Sequence, residues 1–219
     1  MNRKENFLFK TFAFYIILFL LIQISLKLNL KYMTGRLTFI IAVAVVWMFL
    51  TIPGYIFSKK IKYISYLYPI INAVITGMTI ASYYIIQSIE VDILDCHIFG
   101  FILFMVFNYG IIIITSKRKQ ISLINIILSI IGSLATIYLW TVISVSLGSH
   151  LLFLIIIYLC FFIALYLNKQ KDSNYLTIVN FASVIMFGGV FLLVLILITE
   201  GDGIEILDMS WWKDRKKTR

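Results

Sequence analysis

Apolar segments long enough to cross a bilayer recur along this 219-residue sequence. A helix needs about 20 consecutive apolar residues to span a hydrocarbon core that is about 30 Å thick. The sequence is 62% hydrophobic and 13% charged, whereas an average soluble domain is about 25% charged. We therefore predict an all-α fold: a polytopic integral membrane helix bundle in which residues 1–219 form a single membrane-embedded domain.

Charged and turn-forming residues divide the apolar sequence into about seven spans. The uncharged stretch 121–167 is too long for one span, and Gly148-Ser149-His150 is its natural turn. The predicted transmembrane helices, TM1 to TM7, cover residues of about 11–26, 37–57, 64–88, 98–115, 121–147, 151–167 and 176–198. Pro53-Gly54 lies near the end of TM2 and is a pair that can kink or end a helix. A polar C-terminal tail, 199–219, follows TM7.

Basic residues predict the orientation, because short cytoplasmic loops of membrane proteins are rich in Lys and Arg. The loops after TM2, TM4 and TM6 contain eight basic residues, and the loops after TM3 and TM5 contain none. This pattern places the N-terminus in the cytoplasm and the C-terminal tail outside. Lys27, Lys31 and Arg36 after TM1 and the basic end of the tail indicate the opposite side. Either the tail is an exception to the rule, or the count is wrong by one span.

The segment between TM3 and TM4 contains acidic residues and no basic residue. In the predicted threading it lies on the outer side of the membrane, together with both histidines and the acidic start of the tail. The candidate partner-binding residues of this outer face are Glu90, Asp92, Asp95, His97, His150, Glu200 and Asp202. Carboxylates grouped in this way attract a cationic partner, such as a basic peptide or toxin, over a long range.

Two other interpretations of the outer face remain. Acidic loops are often merely solvated. A zinc site built from His97, His150 and a carboxylate would use ligand types that zinc accepts, but no ligand spacing in the sequence supports it. We therefore expect no metal and no cofactor.

Polar side chains recur every three or four residues in TM3 and TM5, which places them on one face of each helix. TM4 and TM7 add single polar positions. The intramembrane polar residues are Asn72, Thr76, Thr79, Tyr83, Gln87, Asn108, Asn125, Ser129, Ser133, Thr136, Asn180 and Ser183. Such residues either line a path through the bundle or hold helices together by hydrogen bonds. Because the centre of each predicted span lacks charged residues, which ion-coupled transporters usually need, helix packing is the favoured interpretation.

No catalytic motif accompanies these features. The sequence has neither a His-Glu-x-x-His zinc helix nor a Gly-x-Ser-x-Gly elbow. The net charge of +9 comes from Lys and Arg beside the spans, so we expect no nucleic acid partner.

The sequence predicts a non-enzymatic membrane protein. It would be an accessory subunit of a membrane or secretion complex, or an immunity protein that shields a membrane from a toxin. Its partners would be the lipid bilayer and either other membrane proteins or a cationic peptide. The alternatives are a transporter or permease subunit with a path lined by the TM3 and TM5 stripes, and an outer-leaflet enzyme that uses His97 or His150.

The heavy use of Ile, Phe and Tyr and the preference for Lys over Arg are similar in general character to those of small polytopic proteins of low-GC Gram-positive bacteria. Some of those proteins have immunity or secretion-accessory roles. The resemblance is one of composition and transfers no residue roles. It implies a multi-pass location in a bacterial plasma membrane.

Overall fold

The structure of the protein is a computed structural model that describes most of its first 87 residues and a region near its C-terminus. The described residues are 3–32, 36–87, 153, 155–157, 159–160, 163–164 and 174–199. They form four long helices, which are α1 (Arg3–Tyr32), α2 (Leu37–Lys60), α3 (Lys62–Ile86) and α4 (Tyr175–Thr199). The described residues between 153 and 164 are helical as well. The all-helical prediction is therefore confirmed for this part of the chain.

All four helices are long and apolar enough to cross a membrane. They correspond to the predicted TM1, TM2, TM3 and TM7, so the prediction is confirmed for four helices that could cross a membrane by their length and apolar composition. In α2, α3 and α4 the ends lie within about three residues of the predicted ends, because hydropathy alone marks these segments. TM4, TM5 and much of TM6 lie outside the described residues, as does the polar tail.

The first helix is longer than predicted. Lys27 and Lys31 were assigned to a loop, but α1 continues through both of them to Tyr32. The sequence 27–32 contains no Pro or Gly to interrupt the helix, and the Asn29 side chain donates a hydrogen bond to the Ser25 carbonyl one turn earlier (2.7 Å). Lysines near the end of a span extend their ammonium groups toward water along an apolar stem, so they need not end the helix.

The proline in TM2 does not end α2. The helix runs through Pro53 and ends at Lys60. The Pro53 side chain is exposed, and membrane helices tolerate proline where the surroundings satisfy the freed backbone groups.

α2 and α3 form an antiparallel hairpin joined at Ile61, whose backbone is extended. Trp47 pairs with Asn72, and the Tyr68 hydroxyl donates to the Thr51 carbonyl (2.6 Å). α4 lies parallel to α3. Asn180 of α4 bonds to the Ser65 carbonyl of α3, and the later residue Ser183 of α4 bonds to the later residue Asn72 of α3. Thus the end of α2 and the starts of α3 and α4 all lie at the same end of the bundle.

α3 is the central helix of the described bundle and packs against the other three. In its central stretch 67% of the residues are buried, compared with 17% in α2. α3 is also the least apolar of the four helices. A helix surrounded by other helices needs small and polar residues for close packing more than it needs bulky apolar ones.

The outer side of α2 consists of large apolar side chains. Phe49 is 77% exposed and Ile52 is 69% exposed. Exposed apolar surface of this extent suits contact with hydrocarbon rather than with water.

Candidate functional site

Asn72 joins three helices at the centre of the described bundle. Its side chain is fully buried. The Trp47 indole N–H of α2 donates to Asn72 Oδ1 (2.7 Å), and Asn72 Nδ2 donates to Ser183 Oγ of α4 (2.9 Å). Ser183 in turn donates to the carbonyl of Asn180 (2.8 Å). The amide thus uses both its acceptor and its donor to connect α2, α3 and α4.

The two threonine hydroxyls of the TM3 stripe bond within their own helix. Thr76 Oγ1 donates to the Asn72 carbonyl (2.6 Å), and Thr79 Oγ1 donates to the Ile75 carbonyl (2.8 Å). Both side chains are buried. Hydroxyls satisfied in this way add no bond between helices, and their small size lets neighbouring helices approach.

The two outer members of the TM3 stripe have other surroundings. The Tyr83 ring lies edge-on to the ring of Phe153, with centroids 5.7 Å apart, and also beside Tyr84. Gln87 is exposed at the C-terminal end of α3. The predicted stripe is therefore buried at Asn72, Thr76, Thr79 and Tyr83 and reaches the surface at Gln87.

Asn180 connects the starts of α3 and α4. Its Nδ2 donates to the carbonyls of Ser65 (2.9 Å) and Leu176 (2.8 Å). Its Oδ1 has no hydrogen-bond partner among the described residues, although the side chain is only 3% exposed. The sequence placed Asn180 among the polar contacts but could not show that one of its atoms is free.

α1 and α3 touch through their backbones at Gly77. A Cβ atom at Gly77 would lie 2.5 Å from the Ile22 carbonyl oxygen and 2.7 Å from Ser25 Cβ. Ser25 Oγ donates to the Val74 carbonyl at the same crossing (2.7 Å). A small residue and a hydroxyl facing each other are the usual components of close helix contacts in membranes.

Sequence reasoning did not single out Trp47, Tyr15 or Gln23, which carry polar groups inside the described helices. Trp47 supplies the partner of Asn72. Tyr15 is fully buried, and its hydroxyl donates to the Ile157 carbonyl and approaches Met186 Sδ (3.8 Å). Gln23 is 3% exposed, and neither polar atom of its amide has a partner among the described residues. Their position inside apolar runs was the available signal, since buried polar groups normally have partners.

The predicted outer face lies outside the described residues. This holds for Glu90, Asp92, Asp95, His97, His150, Glu200 and Asp202, and also for the polar positions Asn108, Asn125, Ser129, Ser133 and Thr136. Within the described ranges, His, Cys, Asp and Glu side chains form no group of three that could hold a metal ion.

The comparisons with known proteins gave no relative. No family model matches the sequence, and neither the curated proteins nor the solved structures gave a significant match.

Proposed function

We propose that this chain is a non-enzymatic, multi-pass protein of a bacterial cell membrane that acts through a partner. It would serve as an accessory subunit of a membrane or secretion complex or as a toxin-immunity protein. The observation that supports this most directly is the role of the buried polar side chains. Asn72 bonds to α2 and α4, and Thr76 and Thr79 bond within α3. Asn72 therefore holds three helices together, and the hydroxyls of Thr76 and Thr79 are satisfied within α3, so none of these groups is offered to a substrate.

The seven-span threading belongs to the same proposal. α3 and α4 start at the same end of the bundle, since Tyr66 and Tyr175 lie 3.4 Å apart through their hydroxyls and Asn180 bonds to Ser65. A chain that leaves α3 at one membrane surface and enters α4 from the other must cross an odd number of times in between. The three crossings TM4 to TM6 meet this condition, whereas two or four would not.

The charge distribution along α3 supports an acidic outer face. Lys59, Lys60 and Lys62 lie at the junction of α2 and α3, which the excess of positive residues assigns to the cytoplasmic side. α3 ends at Ile86, only four residues before Glu90. The acidic segment therefore follows the opposite end of the helix from the lysines, where a cationic peptide outside the cell would meet it.

Neutralising that segment tests the proposed role. We expect the Glu90→Gln, Asp92→Asn, Asp95→Asn variant to lose its partner while it remains in the membrane, because the steering charge is removed. The measurement is a tagged pull-down from mildly solubilised native membranes, with the captured proteins identified by mass spectrometry.

The matched control keeps the charge and changes only side-chain length, as Glu90→Asp, Asp92→Glu, Asp95→Glu. It should retain the partner. Equal capture by the neutral and the charged variants would contradict a role for these carboxylates, and recovery of the wild-type chain alone would contradict the subunit role itself.

A further inference from the structure

A cavity of about 280 Å³ opens where α2 ends and α3 and α4 begin. Its volume is near the lower limit of small-molecule sites, which span about 300 to 1,000 Å³. We call it the lysine cavity. The lining residues that matter most for its chemistry are Lys59, Lys60, Lys62, Ser65, Tyr66 and Asn180.

The cavity is strongly positive. Its three lysines occupy four consecutive positions, and all three are exposed. Lys59 Nζ lies 4.2 Å from the centroid of the Tyr55 ring, which also lines the cavity. No carboxylate side chain is described in the residues around it. These charges favour an anionic ligand. The first turn of α4 lies at the same cavity, and the positive end of its helix dipole also favours an anion.

A buried side chain at the cavity, Asn180, has an unpaired acceptor rather than an unpaired donor. Asn180 lines the cavity and is 3% exposed. Both hydrogen bonds of its Nδ2 go to backbone carbonyls, so the amide orientation is fixed and Oδ1 is the atom left without a partner among the described residues. Leaving a buried acceptor unpaired is costly. A complementary ligand therefore carries a hydroxyl donor as well as a negative charge.

The place of the cavity in the bundle indicates the source of such a ligand. The cavity lies at the ends of three helices that are long enough to cross a membrane. The ends of such helices lie at the depth of the lipid headgroups. Basic pockets between helices at the cytoplasmic surface are suited to anionic lipid headgroups.

We propose that the lysine cavity binds the headgroup of a hydroxyl-bearing anionic phospholipid, with the chemistry of a glycerol phosphodiester. The phosphate contacts the ammonium groups of Lys59, Lys60 and Lys62. A headgroup hydroxyl donates to Asn180 Oδ1, which is buried in the structure without a ligand and is reached when the lining side chains move aside. The acyl chains remain in the bilayer beside the bundle.

A comparison of headgroups on the unchanged chain tests the proposal. The purified full-length protein in zwitterionic detergent is titrated with phosphatidylglycerol, phosphatidic acid, phosphatidylcholine or free glycerol phosphate, and Tm is followed by tryptophan fluorescence. We expect a saturable rise in Tm with phosphatidylglycerol, because a ligand that binds the folded state stabilises it. Phosphatidic acid, which lacks the glycerol hydroxyls, should bind more weakly, and phosphatidylcholine should have no such effect.

Three results would overturn the assignment. An equal rise in Tm with phosphatidylcholine would show that the cavity does not recognise a negative charge. If phosphatidic acid binds as tightly as phosphatidylglycerol, the headgroup hydroxyl makes no hydrogen bond to Asn180 Oδ1. A rise in Tm with free glycerol phosphate and no rise with phosphatidylglycerol would identify the ligand as a soluble phosphate ester and not a lipid.

Lysine variants locate the site. Lys59→Gln, Lys60→Gln, Lys62→Gln should weaken phosphatidylglycerol binding by about tenfold or more. The control removes three exposed cations that do not line the cavity, as Lys10→Gln, Lys31→Gln, Arg36→Gln, and should bind as wild type does. Unchanged affinity in the cavity variant would place the lipid elsewhere, and the headgroup comparison decides the matter if that variant does not fold.

Discussion

Asn72 and Thr76 show that neighbouring polar residues on one face of a membrane helix can have different roles. Asn72 reaches α2 and α4, whereas the Thr76 hydroxyl returns to the carbonyl of Asn72 in its own helix. The sequence placed both on the same face of α3, since one turn separates them. It could not distinguish them, because the difference depends on Trp47 and Ser183, which belong to other helices.

Replacing Asn72 should destabilise the bundle. Asn72→Leu removes the bonds to Trp47 and Ser183 and leaves the partly buried indole N–H without its acceptor. We expect a loss of about 1 to 3 kcal/mol in the free energy of unfolding. The measurement is thermal or denaturant unfolding of the purified protein in detergent.

Thr76→Val is the matched control, because it removes a hydroxyl that bonds only within α3 and should change stability little. A double-mutant cycle between Trp47→Phe and Asn72→Leu should give a coupling energy of about 0.6 to 2 kcal/mol. If Asn72→Leu is as stable as wild type but abolishes transport of a solute, the polar stripe lines a path and the transporter interpretation replaces ours.

At the scale of helices, small residues determine how closely elements approach. Gly77 lets the backbone of α1 lie directly on α3, and Gly54 in α2 leaves space for the Tyr68 ring. Gly188 lies inside α4, and a Cβ added there would meet nothing within 4 Å. The sequence alone does not separate these glycines, since all three lie inside apolar helical segments.

A methyl group at Gly77 should separate α1 from α3. In Gly77→Ala the new Cβ would be 2.5 Å from the Ile22 carbonyl oxygen, and backbone cannot move aside as a flexible side chain does. We expect a loss of about 1 to 3 kcal/mol, measured as a lower Tm. Gly188→Ala is the control and should be neutral or raise stability by up to about 1 kcal/mol, because alanine favours helix. Equal effects of the two substitutions would contradict the close α1–α3 contact.

Hydropathy predicted helices better than it predicted their ends. The bounds of α2, α3 and α4 were close to those found, because each apolar run stops at a charged or polar residue. α1 was predicted too short, since Lys27 and Lys31 were treated as loop residues although a lysine stem can pack along the helix that carries it. The lysine cavity was not foreseen, because residues near 60 and near 180 come together only through the parallel packing of α3 and α4.

At the scale of the whole molecule, the two ends of α3 should lie on opposite sides of the membrane. Lys60 lies at the junction before α3, and Gln87 caps its C-terminal end; both are exposed. In the threading we propose, positive residues assign the first end to the cytoplasm, so we expect the acidic segment after Gln87 on the outer side. The lysine cavity and the acidic face are then separated by the bilayer, and a lipid of the inner leaflet and a cationic partner outside would not compete.

Labelling with a membrane-impermeant thiol reagent tests this arrangement. On intact cells the reagent should label Cys96 of the wild-type chain and leave Cys160, which is 5% exposed, untouched. With Cys96 replaced by Ser, an introduced Gln87→Cys should react on intact cells, whereas Lys60→Cys should react only after the membrane is opened. Cys96→Ser without further change is the control for background labelling. Reaction of Lys60→Cys on intact cells, together with protection of Gln87→Cys, would reverse the orientation. It would place the acidic segment in the cytoplasm, where an external toxin could not reach it.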